Sequence, residues 1–174
     1  MSLDARTLLE IMPYAGARAE TYAPLLQSTA DKFSINTPQR LAAFLAQLAH
    51  ESGELRYTRE IASGGAYEHR KDLGNLADGD GVRYKGRGLI QITGRTNYRL
   101  AGVACGYDYE NHPELMEQPD HACLVSGWYW SAHGLNMLAD HDDFVGITRR
   151  INGGTNGLSE RTAYWNRAKS ALGA

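Results

Sequence analysis

Four glutamates crowd one stretch of the chain: Glu51, Glu54, Glu60 and Glu68. Two carboxyl groups flanking one bond can cut a glycosidic link, one protonating the leaving oxygen and the other activating a water. Glu51, in the run Ala49-His50-Glu51-Ser52-Gly53, has the setting of the proton donor. It closes an amphipathic stripe, where partial desolvation and the negative end of a helix dipole both favour a protonated carboxyl. A solvated glutamate ending a helix has the same local signature. Glu60 is the natural second carboxylate, with Glu54 and Glu68 as rivals. Chemistry alone does not choose among the three, because spacing across a loop leaves the carboxyl separation undetermined.

Other chemistries fit less well. His50-Glu51 opens like a zinc-protease helix, but position 54 is glutamate where the second histidine of HExxH belongs. Asp78-Gly79-Asp80-Gly81 begins like a calcium loop, yet its twelfth position is Leu89, so a turn is expected. Gly86-Arg87-Gly88 lacks the ending of a phosphate loop and the third glycine of a dinucleotide fingerprint. His121, His133 and His141 have no ligand spacing and read as capping, surface or core residues. No metal or cofactor is expected. Arg83, Lys85, Arg87, Arg95 and Arg99 come with no acid among them and with Tyr84 and Tyr98 nearby. That pattern suits a solvated face, a patch for single-stranded nucleic acid, or a basic cleft wall for a polymer bearing carboxylates.

The elements that must position these groups are mainly helical. Tyr22, Leu25, Leu26 and Thr29 recur at helical spacing within Arg18 to Lys32. Thr37-Pro38 reads as an N-cap followed by proline at the first helical position, and Leu41, Phe44, Leu45 and Leu48 continue as one stripe to Ser52-Gly53. Glycines are dense from Gly64 to Gly94, where Leu89–Thr93 is the one short β-like run. Helical patterning resumes after Pro119, with Leu124, Val125, Trp128 and Tyr129 facing a core. A short helix follows Asp142 or Asp143, and Asn152–Gly157 is a loop. Ser159 can cap a last helix carrying Tyr164, Trp165 and Ala168.

With 174 residues, 43% of them apolar and 22% charged, the chain suits a single globular domain over 1–174 with no second module expected. A net charge of −2 gives no overall attraction for nucleic acid, and no nucleic-acid partner is expected. Cys105 and Cys123 read as isolated buried residues. Asp4, Arg6 and Glu10 interrupt any export signal, and no apolar run is long enough to span a bilayer.

Three segments together resemble glycoside hydrolase family 19, the chitinase-like enzymes. Ala49–Gly53 is similar to that family's His-Glu-Thr/Ser-Gly segment. Tyr84-Lys85-Gly86-Arg87-Gly88-Leu89-Ile90-Gln91-Ile92-Thr93, followed by Asn97-Tyr98, resembles its most specific signature. Ile151-Asn152-Gly153-Gly154 resembles its Ile-Asn-Gly-Gly loop. The resemblance runs from Thr37 to the C-terminus (37–174), leaving 1–36 as an N-terminal helical segment.

The resemblance implies a mainly α, lysozyme-like domain of two lobes around a central cleft, with a small glycine-rich loop or β-hairpin region. It places the general acid at Glu51 and the general base at Glu60, with Thr93 holding the attacking water. Gln91 and Asn152 fall on substrate-binding positions, His50, Tyr84 and Arg87 are expected to contact substrate, and Arg161 stands behind the acid. The implied mechanism is single displacement with inversion. One departure is Asn156, where plant members carry a glutamate facing the arginine. A short, signal-free form is similar to the lysozyme-type endolysins of bacteriophages. That implies a monomer cleaving N-acetylmuramic acid–N-acetylglucosamine bonds of peptidoglycan, with chitin as the alternative substrate. It would wait in the bacterial cytoplasm until a holin-type partner opens the inner membrane, without inserting in the membrane itself. A glycan-binding module that kept the fold and lost activity is the non-enzyme alternative.

Overall fold

The computed structural model describes residues 3–174. Thr37 occupies the N-cap, its hydroxyl accepting from the Arg40 N–H, and Pro38 opens the helix α3 (Pro38–Ser52). The capping pattern therefore acts as predicted. Burial is broader than one stripe, since every residue from 41 to 49 is buried. That makes α3 the axial helix of the larger lobe, not a surface helix. Helix α9 (Leu158–Leu172) lies along the length of α3 and α7 (Leu135–Asp140) also packs on α3, while α1 (Ala5–Ile11), α2 (Arg18–Lys32) and α8 (Phe144–Asn152) complete the lobe. Their side chains form one apolar cluster, in which Phe44 meets Trp130 edge-on at 5.2 Å between centroids.

A second, smaller cluster holds Tyr84, Ile92, Tyr98, Ala101, Cys105, Tyr109, Met116 and Val125. It is built by the loop from Tyr84 to Ile92, the helix α5 (Arg95–Cys105), a 3-10 segment at Pro113–Glu117 and one face of α6 (Pro119–Ala132). Helix α6 is the shared wall, giving Cys123 and Trp130 to the larger cluster and Val125 to the smaller. The result is the expected mainly helical arrangement of two lobes.

Several details differ from the sequence reading. Leu89–Thr93 forms no strand ladder; only isolated antiparallel bridges join Arg59 to Arg87 and Arg87 to Ile92. The apolar residues of this run act as a plug, Leu89 and Ile90 entering the larger cluster and Ile92 the smaller. Helix α9 starts at Leu158 behind Gly157, one turn-position ahead of a Ser159 cap. Helix α8 follows Asp143, whose side chain accepts from the Gly146 N–H as an N-cap should. Cys105 and Cys123 are free and buried, and burial pushes the Cys105 thiol up to about 11. None of the described helices is long and apolar enough to cross a membrane.

The turn at Asp78–Gly81 leads into the short helix α4 (Asp80–Arg83) and anchors the smaller lobe. Asp80 accepts from the Leu76 and Ala77 N–H groups and lies 2.6 Å from Arg95 Nη2. The Arg95 hydrogen bond holds this carboxyl below its ordinary range. A carboxyl depressed in the folded state gives stability that is present above its unfolded value and lost as pH falls through the folded one. Melting temperature should therefore drop on acidification below about pH 4, and Asp80→Asn should flatten that slope while lowering the neutral-pH plateau. A variant slope as steep as the wild type's would show that other carboxylates govern the acid limb.

Candidate active site

Glu51 sits in the last turn of α3 with its side chain about one-fifth exposed. Its Oε1 lies 2.6 Å from Nη2 of Arg161 on α9, a side chain only 1% exposed. Each of the three guanidinium nitrogens has an acceptor. Nε donates to the Asn156 carbonyl at 3.0 Å, and Nη1 donates to Gln47 Oε1. Gln47, one turn before Glu51, donates in turn to Thr148 Oγ1 at 2.9 Å, and Thr148 donates to the Phe144 carbonyl at 3.0 Å. A buried polar relay thus joins α3, α8 and α9 behind Glu51. Asn156 replaces the missing carboxylate with its backbone oxygen, so Arg161 needs no acidic residue at that position. Arg161 adds a fixed cation beside Glu51 that helix dipole and burial alone do not describe.

His50 is packed beside this arrangement. Its Nδ1 lies 2.7 Å from Glu160 Oε2. Gly157, at φ +69°, presents bare backbone to the ring, and a Cβ there would fall 2.3 Å from His50 Cε1. The first turn of α9 therefore needs glycine to lie against the imidazole.

Glu60 is held by a different set of segments. Its N–H donates to the Gly86 carbonyl at 2.9 Å, and Gly88 N donates to the Thr58 carbonyl at 2.8 Å. The loop from Tyr84 to Thr93 thereby pairs with the segment carrying Glu60. Tyr67 Oη donates to Glu60 Oε2 at 3.0 Å. Burial and the Glu60 contact push the Tyr67 phenol up, which keeps it a donor across the working pH range. Glu60 Oε1 is buried with no hydrogen-bond partner among the described residues. A Cβ at Gly86 would lie 3.1 Å from Glu60 Oε2 and 3.2 Å from Gln91 Oε1, so glycine lets the loop come this close. Gln91 itself takes φ +26°, an unfavourable angle for a residue with a side chain and one typical of functional sites. Thr93 Oγ1 donates to the Gln91 carbonyl at 3.3 Å, and Asn97 Nδ2 to the Thr93 carbonyl at 2.8 Å. A cavity of about 370 Å³ opens at Glu60, lined also by Tyr57, Arg59, Ile61 and Lys85.

The rival glutamates are engaged elsewhere. Glu54 is buried between Tyr14 and Tyr164. Glu68 accepts from the Gly79 and Val82 N–H groups at the start of α4. Two expected substrate contacts also need correcting. Tyr84 is 1% exposed with its hydroxyl on the Glu110 carbonyl. Arg87 is 8% exposed and pairs with Glu117 Oε1 at 2.8 Å while donating to the Arg83 carbonyl and Tyr98 Oη. Both brace the loop from within, because the cluster beneath it demands an aromatic ring and a satisfied cation. Arg95 is likewise neutralised by Asp80 and Glu110, so the basic stretch is not one open patch. Asn152 is exposed at the end of α8 ahead of the left-handed Gly153. His121, His133 and His141 bond Tyr109, the Tyr129 carbonyl and the Met137 carbonyl respectively. Among the described residues no group of histidine, cysteine or acidic side chains is placed to hold a metal.

The sequence reading missed Gln47, Thr148 and Tyr67. Gln47 left a trace, an amide within the apolar run from Leu41 to Ala49, one turn before Glu51. Tyr67 left none, because its partner is set by a loop path.

The family described as Chitinase class I, glycoside hydrolase family 19, matches residues 15–154, which is most of the chain. The chain belongs to this family and is a glycoside hydrolase of the chitinase type. Among its relatives is a glycosyl hydrolase family 19 domain-containing protein of Haemophilus influenzae, 29% identical over 92% of this chain and 92% of that protein. An endochitinase of Arabidopsis thaliana is 34% identical over 79% of this chain but only 45% of its own length. In three dimensions the chain resembles chitinase C from Streptomyces griseus, with a TM-score of 0.82, 22% identity, and coverage of 99% and 93% of the two chains. A class IV chitinase from Zea mays superposes with a TM-score of 0.72 at 24% identity, over 87% and 81%.

Proposed function

We propose that the chain hydrolyses peptidoglycan at the β-1,4 bond between N-acetylmuramic acid and N-acetylglucosamine, with inversion, using Glu51 and Glu60. Glu51 gives its proton to the glycosidic oxygen as the carbon–oxygen bond breaks. Glu60 takes a proton from a water attacking the anomeric carbon on the opposite face, with the Thr93 hydroxyl and the Gln91 amide ordering water and sugar. The observation that carries this reading is the contrast between the carboxylates. Glu51 is backed by a buried cation, Glu60 keeps one buried oxygen unpaired within the protein, and Glu54 and Glu68 are consumed by structural bonds. A module that only bound glycan would have no use for both.

The choice of polymer rests on charge. Lys85 lines the cavity at Glu60, its Nζ donating to the Ala62 carbonyl at 3.3 Å, with no carboxylate within ion-pair distance among the described residues. Peptidoglycan carries lactyl and peptide carboxylates that such a cation can meet; chitin carries none. Chitin hydrolysis by the same residues is the second reading, favoured by the endochitinases among the relatives. On the first reading the substrate lies outside the inner membrane, so delivery calls for a holin-type membrane-opening partner or an export route.

Incubation with purified peptidoglycan and, separately, chitin hexamer, followed by mass spectrometry, decides the polymer. Reducing-end N-acetylmuramic acid is expected; chitobiose from chitin alone would sink the peptidoglycan assignment. Lys85→Gln should lower kcat/KM on peptidoglycan by up to about fivefold, the scale of one exposed ion pair, and spare the neutral oligomer. An equal fall on both would mean that Lys85 acts through Glu60 instead.

A further inference from the structure

Three consecutive residues after the helix that carries Glu51 adopt left-handed backbone angles: Gly53 at φ 57°, Glu54 at 56° and Leu55 at 67°. Residues with a Cβ enter this region one at a time at best, and such a run persists only where the surroundings hold it. The holding group is Glu54. Its side chain is buried, Oε1 accepting from Tyr164 Oη at 2.7 Å and Oε2 from the Tyr14 N–H. The Leu55 N–H is taken by Ser52 Oγ at 2.8 Å. Tyr164 stands three residues after Arg161 on α9, as Glu54 stands three after Glu51. Helix α9 therefore grips this segment twice, Arg161 on the acid and Tyr164 on the turn. Because the turn lies between Glu51 and Glu60, its shape sets how the chain bearing the base leaves α3.

We propose that Glu54 is a positioning residue for hydrolysis: bonded to Tyr14 and Tyr164, it locks the left-handed turn at 53–55 and so sets where Glu60 stands relative to Glu51. The inference rests on the acid and base roles proposed above. Shape and hydrogen bonding, not negative charge, do the positioning. A glutamine can accept from the Tyr14 N–H and donate to Tyr164 Oη, since a hydroxyl accepts as well as donates. An alanine can do neither.

The test compares wild type, Glu54→Ala, Glu54→Gln, Tyr164→Phe and Glu51→Gln on whichever soluble glycan the wild type cleaves, with thermal unfolding in parallel. Misplacement of reacting groups by about 1 Å can cost on the order of 10²-fold, so Glu54→Ala should lose roughly ten- to hundredfold in kcat at temperatures where it stays folded. Its KM should stay within about twofold, the signature of lost transition-state geometry with ground-state binding intact. Glu54→Gln should recover most of kcat. Tyr164→Phe, which removes one oxygen and keeps the ring packing, should fall in the same direction as Glu54→Ala and supplies the reading if the alanine variant does not fold. Wild-type kcat in a folded Glu54→Ala or in Tyr164→Phe overturns the proposal, as does a glutamine variant as impaired as the alanine one. Full turnover in Glu51→Gln instead overturns the acid–base reading, and this inference with it.

Discussion

Glu51→Gln is expected to lower turnover by about 10²-fold or more, the scale of a general acid's contribution, while the protein stays folded. The substitution is nearly isosteric. The amide oxygen can still accept from Arg161 Nη2, so the relay through Gln47 and Thr148 keeps its bonds. What disappears is a transferable proton. Release of reducing ends should fall while the melting temperature moves little, and that separation identifies chemistry over structure. A glutamine variant with full lytic or chitin-cleaving activity would show that the leaving oxygen takes its proton from elsewhere. Glu60→Gln should lose activity comparably, since Glu60 lines an open cavity and an amide there cannot take a proton from a water.

Arg161→Met should act the other way, striking stability as hard as activity. The side chain is 1% exposed and holds three acceptors on two segments: Glu51 and Gln47 on α3, and the Asn156 carbonyl in the loop before α9. Removing one partner of a buried ion pair costs about 3–5 kcal/mol, because the remaining charge stays in place without compensation. Glu51 is about one-fifth exposed, so water relieves part of this and the loss should lie near the lower figure, about 3 kcal/mol. In a chain of this length that corresponds to roughly 6–12 °C in melting temperature. Arg161→Lys keeps the charge but cannot reach three acceptors from one planar group, so it should recover only part of the loss. Calorimetry across the three proteins checks the order. An Arg161→Met melting within about 1 °C of wild type, a shift equivalent to well under 1 kcal/mol, would mean that the relay is not holding α9 against α3.

Much of this site was legible from residue order. The Thr37 cap, the stripe from Leu41 to Leu48 and the terminal Gly53 placed Glu51 at a helix end, because capping and periodicity are local properties that a helix carries in its own sequence. The motif order of Ala49–Gly53, Tyr84–Thr93 and Ile151–Gly154 named the family for the same reason.

Tertiary structure decided the rest. Nothing local separates Glu60 from Glu54 and Glu68; the path of the 53–60 segment and the loop pairing at Gly86 do, leaving one carboxylate open and committing the other two. Tyr84 and Arg87 read as cleft residues by type, yet the smaller core needed them underneath, as a ring to pack and a cation to pair. Asn156 looked like a missing partner for Arg161 until the backbone supplied the oxygen. Apart from Asn156 and Arg161, which are five residues apart, the deciding contacts join groups distant in the chain, and their geometry exists only once the helices and the glycine-rich loop have packed. Sequence determined which side chains could do the chemistry; packing determined which of them were left free to do it.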